Sequence, residues 1–256
     1  MSTPSTKHAW PGLDRDRLPR HVAVIMDGNR RWAKRKLLGG FQGHRAGVET
    51  VRILVRLCRE LGIQHLTLYA FSTENWRRSD EEVTFLMSLF EEVIQRELAD
   101  LDRNGVRLRF IGDVPGLPAS LQSLIRMAEA KTAGNSHVNL NIAANYGGRW
   151  EIVEAARQLA TRVQAGTLAP EAIDESLLSA CLCTDGQPDP DLLIRTSGEA
   201  RLSNFLLWQL AYTELYLTDV LWPEFRQPQF LDALLSFQAR ERRFGGTQTA
   251  PVAAAH

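Results

Sequence analysis

Val22-Ala-Val-Ile-Met26-Asp27-Gly28-Asn29-Arg30-Arg31-Trp32 is the stretch from which the fold of this chain is read. Five apolar, mostly β-branched residues suit a strand buried on both faces, and Asp-Gly-Asn then turns the chain. Polar chemistry therefore sits at the carboxyl end of a strand. Arg30, Arg31, Lys34, Arg35 and Lys36 place five cations within seven positions, with the Asp27 carboxylate beside them. That mixture of signs suits a metal-bound polyanion. Taken alone, Arg30 and Arg31 would equally suit solvated loop charges. Gly28 changes the reading, because glycine lets backbone N–H groups approach an anion and an arginine fork gives phosphate two hydrogen bonds. A loop-to-helix phosphate nest is expected here.

The elements that follow alternate. Gly43 to Leu61 carries Val48, Val51, Leu54, Val55, Cys58 and Leu61 at helical spacing and closes on Gly62. His65 to Phe71 reads as a second strand. Ser79-Asp-Glu-Glu82 is a capping box opening a helix that runs to about Leu101. Val106, Leu108 and Phe110 alternate with arginines as a third strand, ended by Gly112-Asp113, and a helix is expected over Ala119 to Lys131. Val138, Leu140 and Ile142 mark a fourth strand, followed by helices over Arg149 to Gln164 and Pro170 to Cys181. Asp191 to Arg195 and Glu214 to Leu217 are strand candidates, and Pro228 to Arg243 a terminal helix. This order predicts a single α/β domain with a mainly parallel central sheet of about six strands flanked by helices. Its ligand crevice should lie beyond the strands' carboxyl ends. The domain is expected over residues 19–246, with flexible tails at 1–18 and 247–256.

At 256 residues and 44% hydrophobic content the chain has enough apolar material for one large core. Lys+Arg and Asp+Glu both total 30, so the basic surface that nucleic-acid binding requires is absent and no nucleic-acid partner is expected. Cys58, Cys181 and Cys183 form no CxxC pair and favour a reducing cytosol, hence a cytoplasmic protein. Residues 1–20 lack the apolar core of a signal peptide. The uncharged hydrophobic stretch between Arg201 and Glu214 is 12 residues, short of the roughly 18 to 20 needed to span a bilayer.

Four polar clusters follow strands: Asp27 to Arg31, Ser72-Thr73-Glu74-Asn75-Trp76 with Arg77 and Arg78, Asn145 to Gly148, and Arg195 to Glu199. Any one could be an ordinary polar loop; their shared position after strands points to one site. His44 either caps and packs the next helix or hydrogen-bonds phosphate. Trp32, Phe71 and Trp76 serve as core aromatics or as a surface for an apolar substrate tail. The stripe Val83, Leu86, Phe90, Val93, Ile94 and Leu101 reads as a core face, and a lipid tunnel would use the same residues. Arg195, Arg201 and Ser203 form a second basic and hydroxyl group, so two anion sites suggest two phosphorylated substrates. Glu214 is either a surface acid or a second acidic ligand for Mg²⁺.

Five motifs then carry a resemblance: Met26-Asp-Gly-Asn-Arg-Arg-Trp-Ala33, Tyr69-Ala-Phe-Ser-Thr-Glu-Asn-Trp76, Asn141-Ile-Ala-Ala-Asn-Tyr-Gly-Gly148, Arg195-Thr-Ser-Gly-Glu199 and Arg201-Leu-Ser-Asn-Phe-Leu-Leu-Trp-Gln209. Together, and in this order over residues 19–246, they resemble the cis-prenyltransferases. The resemblance implies condensation of isopentenyl diphosphate with an allylic diphosphate such as farnesyl diphosphate. Mg²⁺ is the implied cofactor. The implied product is a long-chain cis-polyprenyl diphosphate such as undecaprenyl diphosphate, precursor of a cell-wall lipid carrier; a short-chain synthase and a non-catalytic partner subunit are the alternatives. By motif, Asp27 would hold the metal with Glu214. Gly28, Asn29, Arg30, Arg31, Trp32 and His44 would take the allylic substrate; Arg195, Arg201, Leu202 and Ser203 would take isopentenyl diphosphate. Asn75 would help remove the proton, and Ser72, Thr73, Glu74, Trp76 and Arg78 would complete the substrate contacts. A homodimer is implied, with Arg240 to Gly246 crossing its interface, as is peripheral membrane contact for product release. Gly40 stands where the family usually carries a phosphate-binding arginine, with Arg35 and Lys36 as nearby substitutes, and Ala200 replaces a histidine seen in some members. The DDxxD signature of trans-prenyltransferases is absent.

Overall fold

The computed structural model describes residues 10–240. Six parallel strands form one sheet in the order β3-β4-β2-β1-β5-β6. They are β1 (His21–Ile25), β2 (His65–Ser72), β3 (Val106–Ile111), β4 (Val138–Tyr146), β5 (Leu192–Arg195) and β6 (Glu214–Leu217). The helices are α1 (Asn29–Arg35), α2 (Gln42–Leu61), α3 (Asp80–Arg103), α4 (Ala119–Thr132), α5 (Gly148–Gln164), α6 (Glu175–Ser179) and α7 (Gln227–Gln238). The parallel α/β sheet expected from the alternation is present.

The period of two divides each buried strand between two cores. Val22 and Val24 of β1 join the larger cluster with residues of α2, α3, α4 and α7, while Ala23 and Ile25 face the smaller one around Tyr146, Phe205, Leu206 and Leu210. Both faces are covered, which is why the run Val22–Ile25 is continuously apolar. The chain passes from β1 to β2 on one side and returns as β5 on the other. Strand order thus reverses at β1, and the gap between the carboxyl ends of β1 and β5 is where an open α/β sheet accepts ligand.

Three expectations change. Pro170 to Cys181 is not one helix but a 3₁₀ turn over Pro170–Ala172 and the short α6, because the Asp174 side chain accepts a hydrogen bond from the Leu177 N–H and starts a new helix there. Residues 10–18, expected as tail, are docked. Trp10 is buried, Asp14 N–H donates to Gln238 Oε1 at 3.2 Å, and the Arg17 guanidinium donates to the Gln238 carbonyl at 2.6 Å. The terminal helix stops at Gln238. Of the segment expected at a homodimer interface, Arg240 alone is among the described residues; Glu241 to Gly246 and the two distal tails lie outside them.

Candidate active site

Asp27 follows β1 and is fixed through its main chain. Its N–H donates to Thr196 Oγ1 at 2.9 Å, and that hydroxyl donates back to the Asp27 carbonyl at 2.7 Å. Gly28 then takes φ 104°, a left-handed value, and a Cβ there would fall 2.9 Å from Leu221 and 3.0 Å from Ser197. Only glycine fits both demands. Gly43 is excluded from growth for a different reason, since a Cβ would overlap the Asn29 carbonyl where α2 starts against α1.

The Asp27 carboxylate, one third exposed, accepts from Gly28 N–H at 2.7 Å and pairs with Arg195 at 3.0 Å. Arg195 ends β5, and its side chain is only 3% exposed. It also donates to Ser203 Oγ at 2.9 Å and to the Arg201 carbonyl. The two strand ends at the switch point are therefore joined by a charge pair. Ser197, Ser203 and Asn204 beside it hold left-handed φ values without being glycine, local backbone strain of the kind that collects at functional sites.

Two cationic groups flank Asp27. On one side Arg31 pairs with Glu199 at 2.8 Å and contacts Ser197, while Arg201 pairs with Glu199 at 2.5 Å. On the other, Arg30 and Arg78 are both held by Glu82, at 3.2 and 2.8 Å. His44 Nε2 lies 4.0 Å from the same carboxylate. Burial, reinforced by Arg78 and Arg30 and opposed by Glu82, pushes the His44 pKa down to about 4, so the ring is neutral. Glu82 was visible in the sequence only as the acid of the helix cap. Its second role is to gather two cations on a carboxylate 5% exposed; Arg78 is four residues away, but Arg30 of α1 is 52 residues distant and leaves no local signal.

Below this mouth opens a cavity of about 690 Å³ between the sheet and helices α2 and α3. Asp27, Asn29, His44, Ser72, Glu74, Asn75, Arg78, Arg195 and Ser203 line its polar end; Val51, Phe90, Val93, Ile94, Leu108 and Ile142 line the body. The α3 stripe thus borders a cavity as well as the core. Four buried side-chain polar atoms among the described residues lack a partner, and three of them, Asn29 Oδ1, His44 Nε2 and Arg195 Nε, belong to residues at this mouth. Buried polar atoms are normally satisfied, so these three are available to a bound ligand or water at the mouth.

The remaining expected site residues divide between the mouth and other places. Asn75 Oδ1 accepts from Ser72 N–H at 3.1 Å, closing a small cap at the mouth, and Thr73 adjoins Gly147. Trp76 turns to Asn145, donating to its Oδ1 at 2.7 Å, and packs edge-on to Phe71, so it does not line the cavity. Neither do Trp32 and Arg201, and Leu202 packs against the smaller core. Gly40 is exposed with open space around it, and Arg35 and Lys36 are exposed as well. Glu214 is separated from Asp27 within the chain. It opens β6 opposite Leu192, at the amino end of the sheet, and pairs with Arg240 at 2.8 Å. No cluster of three or more metal-ligating side chains occurs among the described residues.

The family model described as "Putative undecaprenyl diphosphate synthase" matches residues 25–245. A ditrans,polycis-undecaprenyl-diphosphate synthase, (2E,6E)-farnesyl-diphosphate specific, from Pseudomonas aeruginosa is 55% identical over 90% of this chain and 92% of its own length. An isoprenyl transferase of Prochlorococcus marinus is 49% identical over 93% of this chain and 87% of its own. Among solved structures, lavandulyl diphosphate synthase from Lavandula x intermedia, in complex with dimethylallyl diphosphate, superposes with a TM-score of 0.87 at 42% identity, covering 90% of this chain and 99% of that one. A mouth flanked by cations over an apolar cavity, on a chain matched through nearly its whole described length, places this protein in the undecaprenyl diphosphate synthase family, that is, among the cis-prenyltransferases.

Proposed function

We propose that this enzyme condenses isopentenyl diphosphate with farnesyl diphosphate repeatedly, making a long-chain cis-polyprenyl diphosphate of the undecaprenyl class for cell-wall lipid carrier synthesis. The observation that carries the reading is the cavity: its mouth has cations on both sides of Asp27, and its body is lined mainly by apolar side chains. Two phosphorylated heads and one hydrocarbon tail fit that arrangement. The 55% identity to a farnesyl-specific synthase supports the same primer.

Arg30, Arg78 and the neutral His44 would receive the allylic diphosphate, with the Gly28 and Asn29 backbone. Arg195, Arg201 and Ser203 would hold isopentenyl diphosphate. When the allylic C–O bond breaks, its electron pair leaves with the diphosphate, and preorganised guanidinium groups stabilise that charge without reorganising. The isopentenyl double bond then attacks the allylic carbon from a fixed neighbouring position, and loss of a proton beside Asn75 restores neutrality.

Mg²⁺ fits the donor set. It is commonly bound by one or two carboxylates plus substrate phosphates and its own waters, and the mouth offers Asp27 with the free Asn29 Oδ1 nearby. Bound there, it would offset diphosphate charge. Glu214 stands at the other end of the sheet and on the edge strand β6, so it would reach such a metal only from a second copy of the chain, in keeping with a homodimer. The test is radiolabelled isopentenyl diphosphate with farnesyl diphosphate, with and without Mg²⁺, the products resolved by chain length. Metal-dependent incorporation into long products is expected; none with any allylic primer would leave the non-catalytic subunit as the better reading.

A further inference from the structure

The turn between α1 and α2 is unusual in both conformation and charge. α1 closes on a paired turn, in which Leu37 N–H donates to the Lys34 carbonyl at 3.2 Å and Leu38 N–H to the Ala33 carbonyl at 2.9 Å. The residue after the cap in such a turn takes a left-handed backbone and is usually glycine. Here it is Leu37, at φ 55°. Nothing inside the molecule offsets that strain, since Leu37 is 94% exposed, more than any other large hydrophobic among the described residues. Leu38, 47% exposed, has a local reason to be apolar, because that position commonly packs back on the helix. Charge is one-sided here as well. From Gly28 to Val48 the chain carries Arg30, Arg31, Lys34, Arg35, Lys36 and Arg45 and no Asp or Glu, in a protein of zero net charge. Arg30, Arg31 and Arg45 pair with acids from other elements, Glu82, Glu199 and Glu92. Lys34, Arg35 and Lys36 are exposed and enter no ion pair among the described residues.

Position supplies the third observation. Asn29 and His44 both line the mouth, and a Cβ on Gly43 would overlap the Asn29 carbonyl, so the chain leaves the mouth and returns to it between them. α1 is only seven residues, about 10 Å long, which keeps the exposed turn beside the mouth. Resting on the proposed reaction, whose product is a lipid, we propose that this turn docks on an anionic bilayer surface. Leu37 and Leu38 enter the interface, and Lys34, Arg35 and Lys36 take the headgroups, so the mouth opens against the membrane that receives the product. A protein partner would need about 800 Å² of surface on each side, far more than two leucines supply. A bilayer needs only an apolar point ringed by cations. Each basic residue beside an anionic surface strengthens binding about fivefold, and apolar insertion is the second signal that stable attachment requires.

The test is sedimentation with vesicles, which needs no turnover. The parent should sediment with mixed phosphatidylglycerol and phosphatidylcholine vesicles and stay in solution with phosphatidylcholine alone. Leu37→Gly should bind the mixed vesicles about fivefold more weakly or worse, with its thermal midpoint not lowered, because glycine is the residue this backbone prefers. Its condensation rate in vesicle-free solution should equal the parent's, since Leu37 does not line the cavity. Lys34→Ser/Arg35→Ser/Lys36→Ser should lose the preference for phosphatidylglycerol. A parent that stays in solution with the mixed vesicles overturns the proposal. So does a Leu37→Gly variant that sediments like the parent, which would leave the cations as a capture site for free diphosphate. Failure of condensation itself would strike the reaction and leave the sedimentation result standing.

Discussion

The two ends of the sheet are built from the same residue types and end in opposite conditions. At the amino end His21 is wholly buried, its Nδ1–H donating to the Pro188 carbonyl at 2.7 Å and its Nε2 accepting from the Thr67 hydroxyl at 2.7 Å. Thr67 in turn accepts from Asn141, whose amide exchanges hydrogen bonds with Gln187, and Gln187 reaches His65. The network closes on itself. At the carboxyl end His44, Asn29 and Arg195 each keep a buried atom without a partner, and the cations there are held by carboxylates that an incoming diphosphate can replace. Buried polarity alone therefore does not mark a site. Unpartnered atoms gathered at one mouth do, three of the four among the described residues, because each costs about 1–3 kcal/mol that a bound ligand or water recovers.

The largest break in this comparison should come from Asp27. Asp27→Ala removes the carboxylate between the two cationic groups and leaves Arg195 with Ser203 and the Arg201 carbonyl. Turnover at saturating substrates should fall by about 10² or more, the usual scale for losing a preorganised electrostatic group. Circular dichroism should show the helix content retained. Turnover within a few-fold of the parent would mean that the mouth is not where bonds break.

Much of this contrast was written in local sequence. Strands with period-two or continuous apolar patterns, such as Val22–Ile25 and Glu214–Leu217, emerged where expected, and the four clusters after strands did gather at one sheet end. What failed locally was whatever depended on distant partners. Trp76 sits beside the mouth in sequence, yet Asn145 captures its indole N–H. Glu214 follows a motif, but its strand begins where β5 begins, so its carboxylate points chemistry to the wrong end of a single chain. Glu82 needed Arg30 and Arg78 to become more than a cap. Such placements are properties of register and long-range packing, to which a local pattern is blind.

The histidines sharpen the comparison through pH. Burial pushes both His21 and His44 down to about 4. A histidine whose folded pKa lies below its unfolded value binds fewer protons folded than unfolded between the two. Stability is then complete above about pH 6.5 and declines as pH falls toward 4, with His21 contributing about 3 kcal/mol of the loss. Urea unfolding from pH 7 to 4 reads this directly. Inorganic diphosphate should separate the pair in an NMR titration. Anion beside His44 favours its charged form and raises its pKa, whereas His21, enclosed by Pro188 and Thr67, should not move. Equal shifts at both rings would abolish the distinction between the two ends.

The finest comparison uses one substitution twice. Thr67 and Thr196 are both fully buried, and each hydroxyl bridges two polar partners, His21 and Asn141 in one case and the Asp27 amide and carbonyl in the other. Valine matches threonine in shape but removes the hydroxyl. Thr67→Val leaves His21 Nε2 without its donor and should cost about 1–3 kcal/mol of stability; Thr196→Val leaves the Asp27 N–H with the Ile25 carbonyl at 3.0 Å and should cost less, about 1 kcal/mol. Activity should separate them. Loosening the backbone that aims the Asp27 carboxylate should lower kcat about tenfold in Thr196→Val, since displacing a reacting group by an ångström costs on that order or more, with KM little changed. Thr67→Val, acting on a closed network at the other end, should leave kcat within about twofold of the parent below its melting temperature. If both variants lose stability but neither loses kcat, Asp27 is not positioned through Thr196, and its orientation must come from the Arg195 pair and the Gly28 N–H.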